Sequence, residues 1–311
     1  MDSPLVAADM PLTQSVKVII NARSGFSDKE EVRRQLMAIF EAAGITSNIS
    51  LATTGAEIVD LAREAAHDDW TVIVAGGGDG TINAVASAVV GTDKILGVLP
   101  LGTLNHFAKD LKIPLDLKGA ARILLSGHSS SVDAGEVNGR VFLNNSSLGL
   151  YPTIIREREK TQRLGSGKWP AYVWAAIAAF RRYPFLRVRL MAEGKDFDLR
   201  TPFVFVGNNK YVMEGFNIGR REHLDKGQLS VYITNRTRRW GLLRLALRAL
   251  LGHLREEKDF LALLTSELKI KTKHKRLRVA LDGEVDSLEA PLHYRVRTGA
   301  LRVIVPGDNN N

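Results

Sequence analysis

Nine consecutive residues, Ala75-Gly76-Gly77-Gly78-Asp79-Gly80-Thr81-Ile82-Asn83, constrain the fold of this chain more than any other stretch of it. Thr71-Val72-Ile73-Val74-Ala75, which leads into them, is a β-branched apolar run that reads as a buried strand. Residues 82–90, Ala-rich and apolar, read as the first turns of a helix. A strand that turns into a helix presents backbone N–H groups at a helix N-terminus, where negative charge is favoured. Glycine removes the Cβ atoms that would hold a phosphate away from that backbone. A tight turn alone is satisfied by one or two glycines. Four within five residues, beside Asp79 and Thr81, point to a phosphate site. Neither of two common phosphate loops is present: no Lys follows in the G-x-x-x-x-G-K-[ST] manner, and the G-x-G-x-x-G spacing is missing.

The flanking sequence supplies more elements of the same kind. Residues 16–20 read as a strand that runs into Asn21-Ala22-Arg23-Ser24-Gly25, a turn suited to a nucleotide. Residues 29–43 read as a helix, because Val32, Leu36, Ile39 and Phe40 keep the 3.6-residue period and Gly44 stops it. Residues 45–52 read as a strand, Thr53-Thr54-Gly55 as a turn and 56–67 as a helix. Residues 95–99 form the next predicted strand, ending in Pro100-Leu101-Gly102-Thr103-Leu104-Asn105, and a short helix follows over 106–111. Strands alternating with helices predict a parallel sheet, whose ligands bind outside the strand carboxyl ends. All these loops belong to that end.

From about Ser131 the alternation stops. Short strand-like pieces recur at 132–137, 140–143, 146–150, 185–192, 197–199, 202–206, 228–234, 267–272, 276–281, 293–297 and 301–305. Gly and Asn turns between them predict a β-sandwich or distorted barrel. Two stretches of helical period interrupt it. Residues 170–182 sit among Trp169, Tyr172, Trp174 and Phe180, and residues 240–255 align Arg244, Arg248 and Arg255 on one face. Each suits a core-packing helix with a solvated edge or a helix lying on a membrane surface. The expected class is therefore α/β: an N-terminal parallel α/β nucleotide-binding domain, then an all-β sandwich-like second domain with helical insertions. The expected boundaries are 14–131, 132–297 and a C-terminal segment, 298–311, that returns towards the first domain.

Charge separates the halves. Residues 1–150 carry 12 Lys and Arg against 17 Asp and Glu, and residues 151–311 carry 31 against 17. A basic second half suits an anionic partner. Helical amphipathicity favours lipid over nucleic acid, and no nucleic-acid module's motif is present. Residues 269–278, with six Lys and Arg, form a candidate phosphate-contacting strand. The chain has no cysteine, which excludes disulfides and thiolate metal sites. Residues 1–12 lack the basic start and apolar core of a signal peptide, and no apolar run approaches a membrane span. The expected location is cytoplasmic, peripherally associated with the membrane.

Val279-Ala280-Leu281-Asp282-Gly283-Glu284 is the second chemical motif, and Asp-Gly is also a plain hairpin signal. The Gly-rich stretch resembles the GGDGT loop of the superfamily of diacylglycerol kinases, sphingosine kinases, NAD kinases and phosphofructokinases. Asn21-Ala22-Arg23-Ser24-Gly25, the Gly loop, the 99–105 segment, Ile113-Pro114 and the Asp-Gly-Glu run occur here in the order they have in bacterial diacylglycerol kinase-like lipid kinases. The Asn-Glu pair and Gly-Ser-Thr-Ala motif usual in NAD kinase are not found.

The resemblance implies an ATP- and Mg2+-dependent kinase acting on a lipid hydroxyl. It implies that Asn21, Ser24, Gly25, Thr53, Gly77, Gly78, Asp79, Gly80, Thr81, Asn83 and Thr103 hold the nucleotide. Asp79 would hold Mg2+ near the phosphates, Glu284 would act as general base, and Asp282 would orient Glu284 or share the metal. Two positions depart from the family pattern. His106 stands where an Asp is usual, which removes one carboxylate from the expected metal network. Lys226 replaces the second Asp of an Asp-Asp-Gly turn, so no structural Mg2+ is expected there. The expected partners are ATP, a lipid substrate and an anionic membrane surface, with no nucleic acid, and the family admits a homodimer. Diacylglycerol leads as acceptor. A sphingoid base, a ceramide-like lipid or phosphatidylglycerol is the alternative, and a non-catalytic protein binding nucleotide and membrane is the alternative of another class.

Overall fold

The structure, a computed structural model, describes residues 15–25, 28–126, 128–149, 185–212, 220–233 and 261–307. The stretches 170–182 and 240–255, read above as amphipathic helices, lie outside the described residues. The chain divides into two units, Met1–Ala134 with Thr298–Asn311, and Gly135–Arg297. No helix among the described residues is long and apolar enough to cross a membrane.

The first unit alternates strand and helix: β1 (Ser15–Asn21), α1 (Lys29–Ala42), β2 (Thr46–Ala52), α2 (Gly55–His67), β3 (Val72–Gly77), α3 (Asp79–Val89), β4 (Ile95–Pro100), α4 (His106–Asp110) and α5 (Leu117–Ser126). The strands run parallel in the order β2-β1-β3-β4, and the chain's end joins beyond β4, with Arg302 and Val303 parallel to Ile95 and Leu96. β3 and β4 are buried along their whole length, which is why both are continuous apolar runs rather than alternating ones. Side-chain caps set the helix starts. Asp28 Oδ1 accepts the Glu30 N–H (3.0 Å) at α1, and Thr54 Oγ1 accepts the Glu57 N–H (3.2 Å) at α2.

The sequence places the start of α3 near Ile82, but it starts at Asp79. β3 continues through Gly77, so Gly78 alone connects strand and helix. Space explains the short connection: a Cβ on Gly77 would lie 2.4 Å from Thr81 Oγ1, so only glycine lets the first helical turn fold back onto the strand end. α5 has no counterpart in the sequence reading.

The second unit is built of β-strands. β5 (Ser129–Val137) enters it and leads to β6 (Arg140–Phe142), β7 (Asn145–Gly149), β8 (Leu186–Ala192), β9 (Lys195–Thr201) and β10 (Phe203–Asn208). β11 (Tyr211–Val212), β12 (Arg220–Arg221), β13 (Leu229–Ile233), β14 (Leu261–Thr265) and β15 (Glu267–Thr272) follow. β16 (Arg276–Leu281), β17 (Glu284–Glu289) and β18 (Leu292–Ile304) end the series. One antiparallel sheet contains β9, β8, β15 and the first part of β18, and another runs β14-β13-β10-β7-β16-β17. Both supply alternate residues to a single core: Val188 and Leu190 from β8, Ile270 from β15, Val206 from β10, Val231 from β13 and Val279 from β16. That period of two is the signature of strands with one buried face. Tyr294 crosses the core to share a 3.0 Å hydrogen bond with Ser146 Oγ, and burial pushes its phenol well above the usual range. The sequence divides β18 into two strands at 298–300, but the chain passes through as one. Gly299 takes φ +59° and donates its N–H to Asp133 Oδ1 (2.8 Å), which carries the strand across the apparent break.

Candidate active site

In the first unit the loops after β1, β3 and β4 meet backbone to backbone. A Cβ on Gly102 would lie 2.3 Å from Gly78 Cα. Gly25, at φ +59°, would place a Cβ 2.3 Å from the Leu101 carbonyl oxygen. Side chains tie the same loops together. Asn21 Nδ2 donates to Thr81 Oγ1 (3.1 Å), its Oδ1 accepts the Arg23 N–H (2.9 Å), and Ser24 Oγ donates to the Asn21 carbonyl (2.9 Å). Asn21, Ser24, Gly25, Gly77, Gly78, Gly80 and Thr81 are thus gathered around the start of α3. A cavity of about 520 Å³ adjoins them, lined by Gly25, Asp28, Val32, Leu101, Gly102 and Thr103 among others.

Gly78 caps α3 without a side chain, so the first-turn N–H groups are open to an anion. Asp79 sits in that same turn. Its Oδ1 accepts the Phe107 N–H (3.2 Å) and so caps α4, while Oδ2 has no hydrogen bond among the described residues. A carboxylate beside an anion-binding turn calls for a cation to neutralise it. An unengaged hard oxygen suits Mg2+, which takes one or two carboxylates and completes its shell from phosphates and water. His106 is exposed at the start of α4.

The remaining predicted contacts are Thr53, Asn83 and Thr103. Thr53 is exposed, and both its N–H (2.7 Å) and its hydroxyl (3.1 Å) donate to Glu57 Oε2, so only its oxygen lone pairs remain for a ligand. Those bonds hold the Glu57 carboxyl below the usual carboxylate range. Asn83 lies in the second turn of α3, and Thr103 is exposed. One residue outside the predicted set matters. Asn105, 3% exposed and left-handed at φ +51°, donates to the carbonyls of Pro100 (3.2 Å) and Gly102 (2.9 Å) and accepts the Gly102 N–H (3.2 Å). The signal for it was its residue type, since Asn tolerates the left-handed region better than most.

In the second unit Asp282 and Gly283 form the two-residue turn between β16 and β17, with Leu281 opposite Glu284. Both have positive φ, +46° and +91°, as a type I′ hairpin requires. The Asp282 carboxylate accepts three backbone N–H groups, from Leu143 (2.7 Å), Asn144 (2.8 Å) and Asn145 (2.9 Å). Arg221, 5% exposed, grips the same segment by donating to the Leu143 carbonyl (2.7 Å) and Asn144 Oδ1 (2.8 Å). Burial pushes the Asp282 carboxyl up, and the three N–H groups and the Arg221 charge pull it the other way. Glu284 is exposed beside this anchored turn. The Asp225-Lys226-Gly227 turn is held by the Lys226 N–H donating to Asn209 Oδ1 (3.0 Å).

The Asp282 anchor has a measurable strength. Asp282→Ala leaves three largely buried N–H groups without an acceptor, at a cost of about 3 kcal/mol. Urea unfolding followed by a β-unit probe is expected to shift by that amount. An unchanged midpoint would mean that the N–H groups find other partners.

Two family models cover almost all of this chain. The diacylglycerol kinase catalytic domain matches residues 15–137, and the YegS C-terminal NAD kinase beta sandwich-like domain matches residues 152–305. The chain belongs to the diacylglycerol kinase-like lipid kinases. A Staphylococcus aureus diacylglycerol kinase is 28% identical over 235 residues, 73% of this chain and 72% of that protein. A Bacillus subtilis diacylglycerol kinase is 27% identical over 274 residues, 86% of this chain and 89% of that protein. The crystal structure of a Bacillus anthracis diacylglycerol kinase shares the fold at a TM-score of 0.69 with 20% identity, covering 94% of this chain and 97% of that one. This lipid kinase thus joins a parallel α/β unit carrying a phosphate-type loop to a β-sandwich unit carrying an anchored acidic turn.

Proposed function

We propose that this lipid kinase transfers the γ-phosphoryl group of ATP to the hydroxyl of diacylglycerol. The observation that carries the donor half is the packing of Gly78 against Gly102, with Gly78 capping α3 without a side chain. The N–H groups of that turn bind the phosphates, with the hydroxyl of Thr81 fixed by Asn21. Gly25 and Thr103 line the cavity beside the same loops, and Asn21, Ser24, Thr53 and Asn83 complete the nucleotide set. The name diacylglycerol kinase on relatives matched over most of their length supports the acceptor.

In the reaction the lipid oxygen forms a bond to the γ-phosphorus and the bond to the β–γ bridging oxygen breaks, releasing ADP. The proton of the lipid hydroxyl passes to the Glu284 carboxylate. Asp282 is a positioning residue, because its own oxygens hold the turn on which Glu284 stands. Asp79 Oδ2 is the oxygen offered to Mg2+, which when bound neutralises charge on the transferring phosphoryl group. The residues of this chain otherwise act by positioning, which a loose transition state rewards most.

The test is transfer of labelled γ-phosphate to diacylglycerol in mixed micelles, for wild type beside Asp79→Asn. Wild type is expected to label a phosphatidic-acid product only when Mg2+ is supplied. Asp79→Asn is expected to lose about 100-fold or more in kcat/KM and to need more Mg2+ for half-maximal rate. Label in a sphingoid-base or phosphatidylglycerol product would keep the mechanism and replace the acceptor. ATP binding with no lipid product would overturn the kinase assignment for this chain.

A further inference from the structure

The sheet that contains β9, β8, β15 and the first part of β18 has one face in the core and one that is strongly cationic. β8 turns Arg187 and Arg189 outward in alternation with the buried Val188 and Leu190, and β15 turns Lys269 and Lys271 outward in alternation with the buried Leu268 and Ile270. The register sets Arg187 directly opposite Arg200 and Lys271 opposite Arg189. Like charges placed opposite one another destabilise a sheet, so the fold itself gains nothing from this arrangement. Acids answer some of these cations: Asp196 pairs with Arg189, and Glu136 with Arg295 (2.8 Å). Arg187, Lys271 and Lys273 pair with no acid among the described residues. A shallow depression of about 540 Å³ lies over these three residues with Arg189 and Arg200, and Asp198 is the acid among its lining residues.

We infer that this face is the surface through which the protein docks on an anionic lipid bilayer. The choice of a bilayer rests on charge complementarity and on the lipid-kinase reading above, which requires contact with membrane lipid. Nucleic acid would meet the same charges, so the lipid-kinase reading is what selects the bilayer. A broad comb of Arg and Lys on a sheet suits many lipid phosphates at once. Each basic group near an anionic surface contributes about fivefold to partitioning.

The test compares wild type with the combined Arg187→Gln, Lys271→Gln and Lys273→Gln protein on phosphatidylcholine vesicles with and without phosphatidylglycerol. Wild type is expected to bind the anionic vesicles selectively and to lose that binding as salt rises. The triple variant is expected to bind them about 100-fold more weakly, with unchanged turnover in neutral detergent micelles, which also reports its folding. Equal vesicle binding by the two proteins overturns the inference. So does wild-type binding that ignores phosphatidylglycerol, or a stronger preference for an RNA oligonucleotide at the same phosphate concentration. If wild type phosphorylates no lipid in micelles the kinase reading falls, and the vesicle comparison still decides this one.

Discussion

Glu284→Gln is expected to lower the rate of phosphoryl transfer by about 10²–10³-fold while leaving ATP binding and the fold intact. The substitution keeps the shape of the side chain and removes only its basicity. Glu284 is exposed at the end of a turn held by Asp282, so stability should change by no more than about 0.5 kcal/mol. The size of the kinetic effect follows from the reaction. A loose transition state has little bonding to the incoming oxygen, so its proton is still weakly acidic when the barrier is crossed. A base is therefore worth less here than in acyl transfer, and the lower and middle parts of the usual range apply. The decisive readout is kcat with saturating lipid and ATP beside the ATP dissociation constant. A fall in kcat at constant ATP affinity supports the base. A loss within tenfold would move the proton to another acceptor.

Local motifs were legible in the sequence, and long-range partnerships were not. Gly76 to Thr81 identify a strand-to-helix phosphate turn because every residue that makes it lies within six positions. The apolar runs of β3 and β4 likewise announce buried parallel strands, and Asp282-Gly283 announces its hairpin. Arg221 could not be read in this way. Its partners, Leu143 and Asn144, stand 78 and 77 residues away, and nothing in Arg220-Arg221 marks one arginine as buried. Asn105 ends the loop after β4, yet its role depends on a left-handed backbone that residue type suggests and only geometry reveals. The cationic sheet face was half legible. The Lys and Arg of 269–278 alternate visibly, but the strand register that sets them beside Arg187 and Arg189 belongs to tertiary structure.

Gly102→Ala is expected to damage nucleotide binding. Gly102 does not have a left-handed backbone, so alanine meets no conformational objection there. The objection is space. The added Cβ would lie 2.3 Å from Gly78 Cα and 3.0 Å from the Gly78 nitrogen, and these are backbone atoms that cannot rotate away. The β3–α3 and β4–α4 loops must then separate by roughly 1 Å, a displacement that costs about 100-fold when it misplaces a reacting group. The expected result is a fall of that size in kcat/KM with ATP, carried mainly by weaker nucleotide binding, and a stability loss of about 1–3 kcal/mol from overpacking. Gly55→Ala is the control. Its added Cβ meets nothing within 4 Å at the start of α2, so it should leave ATP binding unchanged and stabilise slightly. If Gly102→Ala binds ATP as wild type does, the contact between the two glycine loops does not shape the phosphate site, and the N-terminus of α3 must bind its anion without help from β4.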